Sequence, residues 1–175
     1  MIEAIAHVVH GLGRTDCRFA IVGDGEAGDE ARAAADAFGL REWVDFPGWV
    51  DEDTLFRYLA TADLGLDASL QAEVSPVKAA EYMAFGLPFV AFDLPETRRT
   101  GGDAARYVPP GDVAALGSTL DSILRDNDER EAMGRRARMR AETDFVWDRQ
   151  EGTYLRAFDE LLRLGREADR TRSHS

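Results

Sequence analysis

Glu73 and Glu81 stand eight positions apart, and between them lie Ser75-Pro76-Val77-Lys78. A serine before a proline is a good helix opening, because serine can cap and proline suits the first helical position. Gly86-Leu87-Pro88 closes the same segment. The first-turn N–H groups of such a helix bind anions, and Lys78 can reach the same anion as a point charge. Glu81, one turn on, can accept hydrogen bonds from hydroxyls such as those of a ribose. Glu73, just before the helix, can face a sugar. The chemistry is recognition of a negatively charged, hydroxyl-rich ligand. Spacing alone leaves a plainer alternative open, a solvated helix with a Lys78–Glu81 pair at i,i+3.

A second candidate is Gly23-Asp24-Gly25-Glu26-Ala27-Gly28, which matches G-x-G-x-x-G between a strand and a helix, with Asp45 further along. Asp24, Glu26, Asp29 and Glu30 would crowd a pyrophosphate there, so dinucleotide binding is disfavoured. The glycines instead allow a tight strand–helix turn close to a ligand. His7 and His10 lack the companions of a metal site, and no metal is expected. No nucleophile–His–acid arrangement is visible.

These residues need a scaffold, and the chain alternates strand-like and helix-like segments. Apolar runs at 19–22, 43–46, 62–66, 88–92 and 106–108 read as strands, with the first ending at Gly23 and the second at Pro47-Gly48. Helical spacing covers 2–10, 26–38, a short helix after Asp51-Glu52-Asp53, 76–85, and then roughly 112–125, 128–142 and 147–164. The fold class is therefore α/β with a doubly wound parallel sheet. Ligands in such sheets bind beyond the carboxyl ends of the strands, so the loops after Val22, Phe46, Leu66 and Phe92 are the expected site walls. One domain is expected over residues 1–164, with a disordered tail over 165–175. Trp43, Trp49 and Trp147 are expected to pack in the core or at a hinge. The apolar stripe of 147–164 fits either packing or docking onto a second domain.

Composition sets the outer limits. The chain has 175 residues and a net charge of -12, which disfavours nucleic acid and anionic lipid as bulk partners. No apolar run approaches the roughly 20 residues of a membrane span. The single cysteine, Cys17, fits a small filler in a reducing, cytoplasmic setting. Attachment of a full-length enzyme at the inner membrane surface is left open.

Several motifs in order resemble the C-terminal, donor-binding half of a group 1 (family 4) glycosyltransferase of the GT-B fold. They are Phe19–Gly25, Val44–Val50, Ala62–Leu66, Glu73 with Glu81–Pro88, Asp93–Arg98 and Val108–Asp112, spanning roughly residues 2–160. The resemblance implies a Rossmann-like domain that binds a nucleoside-diphosphate sugar. It puts Glu73 against the transferred sugar, as the catalytic residue, and Glu81 on the ribose. Lys78, the amides of Val77 and Lys78, and the Ser75-Pro76 turn would meet the diphosphate. Phe46, Pro47 and Gly48 would read the base, and Gly23 and Gly25 would line the cleft floor. Transfer would be retaining, with no cofactor and no essential metal. The resemblance also implies a partial domain that lacks its first strand and the N-terminal acceptor domain, and is inactive alone. The alternative reading is a non-catalytic interaction module of the same fold. A same-fold sugar-nucleotide epimerase would need a histidine near the cleft, and His7, His10 and His174 are poorly placed for it.

Overall fold

The computed structural model describes residues 1–71 and 76–172, with side chains described as far as Leu164. Glu73 and Ser75, and His174 in the tail, lie outside the described residues. The element order is α1 (Ile2–Ala6), a π-helical turn (His7–Gly11), β1 (Phe19–Val22), α2 (Gly28–Ala37), β2 (Val44–Gly48), α3 (Glu52–Thr61), β3 (Gly65–Asp67), α4 (Val77–Ala84), β4 (Phe89–Phe92), α5 (Pro95–Gly101), a 3-10 turn (Gly102–Ala104), β5 (Ala105–Val108), α6 (Val113–Arg125), α7 (Asn127–Asp144) and α8 (Trp147–Arg172).

Every recorded strand pair is parallel, as the alternation predicts, but the strands form two pieces: β2 beside β1, and β3-β4-β5. Three packed clusters hold these pieces. Val90 and Phe92 of β4 lie with Leu116, Leu120, Ile123 and Met133 on one face. Phe89 and Ala91 lie with Ala79, Met83 and Ala137 on the other. Alternation along the strand thus sends successive side chains of β4 into two different cores. The third cluster packs Ile5 and Val9 with Ala35, Leu40 and Val44, over the β1–β2 piece. The first helix joins the halves. Its Ala4, with Val8 just beyond, belongs to the α6 cluster, while Ile2, Ile5 and Ala6 belong to the β2 cluster. Gly117 lets α6 pass it closely, since a Cβ there would stand 2.9 Å from the Ala4 carbonyl oxygen.

Several expectations need correction. β2 runs through Pro47 to Gly48 instead of ending before them. Proline is tolerated because β2 is an edge strand with β1 as its recorded neighbour. β3 begins at Gly65 and takes in Asp67. The segment 95–101 is helical, although its polar sequence shows no apolar period. Trp49 and Trp147 are exposed, at 78% and 59%, rather than packed. Trp49 follows the edge strand, and Trp147 opens a helix whose Tyr154, Leu155, Phe158 and Leu161 are also exposed. That helix continues to Arg172, past the expected end at 164, because no proline stops it. Among the described residues, no helix is long and apolar enough to cross a membrane.

Candidate functional site

The site is built on β3 and α4. Residue 67 ends a three-residue strand, and α4 starts ten residues later, so both meet at the carboxyl rim of the sheet. Pro76 flanks the helix and is not its first residue, and it supplies no side-chain cap. The Val77 and Lys78 N–H groups therefore have no carbonyl of their own helix to bond. At the far end, Gly86 adopts φ 66°, and the Leu87 and Gly86 N–H groups donate to Tyr82 and Met83 carbonyls. This left-handed closure turns the chain directly into Pro88 and β4 and fixes the length of α4.

Lys78 Nζ donates to Asp67 Oδ1 at 3.0 Å. The Asp67 side chain is 1% exposed and that of Lys78 is 48% exposed, so the ammonium head sits where a buried carboxylate meets open space. Asp67 Oδ1 also accepts the Ser69 N–H at 3.1 Å, whereas Oδ2 has no hydrogen-bond partner among the described residues. The ion pair of Lys78 is thus with Asp67, not the Lys78–Glu81 pair that spacing alone allowed. Glu81 is exposed and lines the same cleft as Lys78, Ser69 and Tyr82. The Tyr82 hydroxyl donates to the Leu66 carbonyl at 3.2 Å. Burial, with the nearby Asp67 carboxylate, pushes its pKa up to about 12, so it stays a neutral donor. The ring packs on Gly65, where a Cβ would come within 2.7 Å of it.

The other expected residues gather at the ends of β1 and β2. Gly23, at φ 126°, donates its N–H to the Gly48 carbonyl at 2.8 Å. Gly23, Gly25 and Gly48 all have open space where a Cβ would project. Phe46 is half-buried beneath Arg32, whose guanidinium carbon lies 5.5 Å from the ring centroid. Lys78 and Glu81 line the cleft, while Gly23, Gly25, Phe46, Pro47, Gly48, Pro76 and Val77 stand outside its wall. His7 hydrogen-bonds Ser118 and His10 bonds the Phe38 carbonyl, both away from this rim. Sequence reasoning missed Asp67. Its signal was an acid at the end of an apolar run, which reads equally well as a strand terminator. Chemically, the arrangement offers a held cation, two amides with no partner in their own helix and an exposed carboxylate on one turn-and-a-half of helix.

The family described as Glycosyl transferases group 1 matches residues 1–126, and the chain belongs to that family. A phosphatidyl-myo-inositol mannosyltransferase of Mycobacterium leprae is 36% identical over 118 residues, which are 66% of this chain and 31% of that protein. An MMP alpha-(1->4)-mannosyltransferase of Mycolicibacterium hassiacum is 28% identical over 153 residues, 83% of this chain and 37% of that one. The chain thus spans about a third of the length of these curated relatives. Among solved structures, an Anabaena protein in complex with UDP superimposes with a TM-score of 0.78 at 20% identity, over 91% of this chain and 44% of that one. The C-terminal domain of a glycosyl transferase group 1 family protein from Francisella tularensis gives 0.72 at 18% identity, over 83% and 77%. Both likenesses concern the fold, and they agree with the GT-B expectation.

Proposed function

We propose that this chain is the donor-binding domain of a retaining glycosyltransferase that takes a nucleoside-diphosphate sugar. The observation that carries the reading is the α4 opening, where Lys78 is held on buried Asp67 and Glu81 faces the same cleft. In this reading the diphosphate lies on the Val77 and Lys78 amides and on Lys78 Nζ. These groups meet the charge that develops on the leaving diphosphate, so no essential metal is required. Glu81 accepts from the ribose hydroxyls, and Glu73 faces the transferred sugar. The Phe46–Gly48 end of β2 takes the base, with Gly23 and Gly25 beneath. A further domain supplies the acceptor site, and this chain alone turns over negligibly. The Anabaena protein was crystallised with UDP, which makes uridine diphosphate the first ligand to test.

The test is a calorimetric titration with UDP, GDP and ADP, with and without EDTA. One nucleoside diphosphate binds, and EDTA leaves its affinity unchanged. Lys78→Ala and Glu81→Ala each weaken it about tenfold, or ~1.4 kcal/mol. The double variant Asp67→Asn/Lys78→Ala recovers the stability that Lys78→Ala loses by leaving a buried carboxylate alone, but it does not recover binding. No binding by any of the three nucleotides, or binding that ignores both single substitutions, overturns the reading.

A further inference from the structure

The cleft carries its cations unevenly. Of the 21 Lys and Arg residues in the chain, Lys78 is the single lysine. The arginines that line the cleft are Arg14, Arg18, Arg41 and Arg130. Arg14 and Arg18 precede β1, Arg41 precedes β2, and Arg130 lies 3.7 Å from Asp63, just before β3. With the strands parallel, all four stand at the amino rim. Among the described residues that line the cleft, Lys78 is therefore the one cation at the carboxyl rim. Two carboxylates accompany it, Asp67 behind and Glu81 one turn on. A lysine head is a compact charge with three donors. One donor goes to Asp67 Oδ1 at 3.0 Å, which leaves two.

Asp67 does more than hold the lysine. Its side chain is 1% exposed, so its charge is poorly screened by water. That charge reaches past Lys78: after burial itself, it is the next cause of the raised Tyr82 pKa. A phosphate oxygen bonded to Lys78 Nζ stands about 5 Å from Asp67 Oδ1, two charge-assisted hydrogen bonds away. This is inside the screening length of about 8 Å at physiological salt. Each negative charge on a ligand there is attracted by Lys78 and repelled by Asp67. The two diphosphates of a sugar transfer differ in that charge. Esterified at both ends, the diphosphate of the donor carries two negative charges. When the sugar leaves, the terminal phosphate can ionise again with a pKa of about 6, so the free diphosphate carries about three at neutral pH.

We propose that Asp67 is a specificity-determining residue, whose buried carboxylate offsets the charge of Lys78 so that the site takes the diphosphate of a sugar donor and disfavours the more highly charged free diphosphate left after transfer. This rests on the donor-site reading and adds to it a residue and a discrimination. The carboxylate positions Lys78 for the donor and, by the same charge, loosens the product.

The test is a calorimetric titration of matched pairs, UDP with UDP-glucose, GDP with GDP-mannose and ADP with ADP-glucose, at about pH 7.5, where the free terminal phosphate is fully ionised. The pair that binds the parent chain is then titrated into Asp67→Asn. Asparagine keeps a carbonyl oxygen where Oδ1 accepts from Lys78 and from the Ser69 N–H, and its NH₂ replaces Oδ2, which has no hydrogen-bond partner among the described residues. The charge is removed and the lysine keeps its acceptor. Free diphosphate should bind Asp67→Asn about tenfold more tightly than it binds the parent, and the sugar ester at most about threefold more tightly. Asp67→Ser, which also removes the charge, should shift the ratio in the same direction and serves if the asparagine variant does not fold. Two results overturn the proposal alone. If both ligands weaken alike, Asp67 only holds Lys78 in place. If both tighten alike, its charge sets affinity without discrimination. Failure of every pair to bind the parent chain overturns the donor-site reading, and the proposal with it. Binding that weakens in Lys78→Ala while the Asp67→Asn ratio stays unchanged overturns the proposal and leaves that reading standing.

Discussion

β1 and β4 are each four residues long and similar in composition, Phe-Ala-Ile-Val against Phe-Val-Ala-Phe. In β4 every residue is buried, with Phe89, Val90 and Ala91 at 0% exposure. In β1 none is buried and Ala20 is exposed. Nothing in the two tetrapeptides accounts for this. β4 has β3 on one side, β5 on the other, and a packed cluster on each face. β1 has β2 on one side and the cleft on the other. Hydrophobic stabilisation follows the area removed from water, so the same apolar run contributes much in one place and little in the other.

The comparison can be broken or sharpened by substitution. The largest effect is expected at the two phenylalanines. Phe89→Ala should cost about 3–5 kcal/mol in urea unfolding, and Phe19→Ala less than half of that. Equal losses would mean that β1 is as well packed as β4. A smaller effect is expected where the halves are joined. Gly117→Ala would bring a methyl to 2.9 Å from the Ala4 carbonyl and 3.0 Å from the His7 ring. It should cost about 1–3 kcal/mol and speed exchange in β1 more than in β4. The smallest effect concerns the ionic tie between the segment before β1 and α6. Arg14 Nη1 lies 3.2 Å from Asp121 Oδ1, with both side chains nearly buried. Hydrogen bonds from Arg125 first, and then from Arg14, hold the Asp121 carboxyl below the usual carboxylate range. A depressed pKa contributes stability that is present above the unfolded value, about 3.9, and is lost as pH falls through the folded value. Asp121→Asn should therefore cost at most about 1 kcal/mol at pH 7. The gap from the parent chain should shrink as the urea midpoint is measured below about pH 4.

Much of the fold could be read from the chain because short apolar runs are punctuated by Gly23, Pro47-Gly48 and Gly86-Leu87-Pro88. Boundaries moved where tertiary pairing overrode local cues, as when β2 carried Pro47 within it. The helix at 95–101 could not be read because it packs through Thr97, Thr100 and Gly101, residues that carry no hydrophobic period. Of the candidate site, the placing of Lys78 and Glu81 on one helix was legible, because their spacing is a local fact. It was not legible at Asp67. An acid at a strand end has many uses, and only the folded chain puts it 3.0 Å from Lys78.

The sequence by itself determined the order of most strands and helices, the parallel class of the sheet and the helix that carries Lys78 and Glu81, because these depend on periodicity and on the backbone limits of glycine and proline. Tertiary structure alone decided that Lys78 is latched to a buried carboxylate and that Phe-Ala-Ile-Val lies half bare beside an open cleft. Burial and charge pairing depend on which neighbours arrive from elsewhere in the chain, and no local run of residues encodes them.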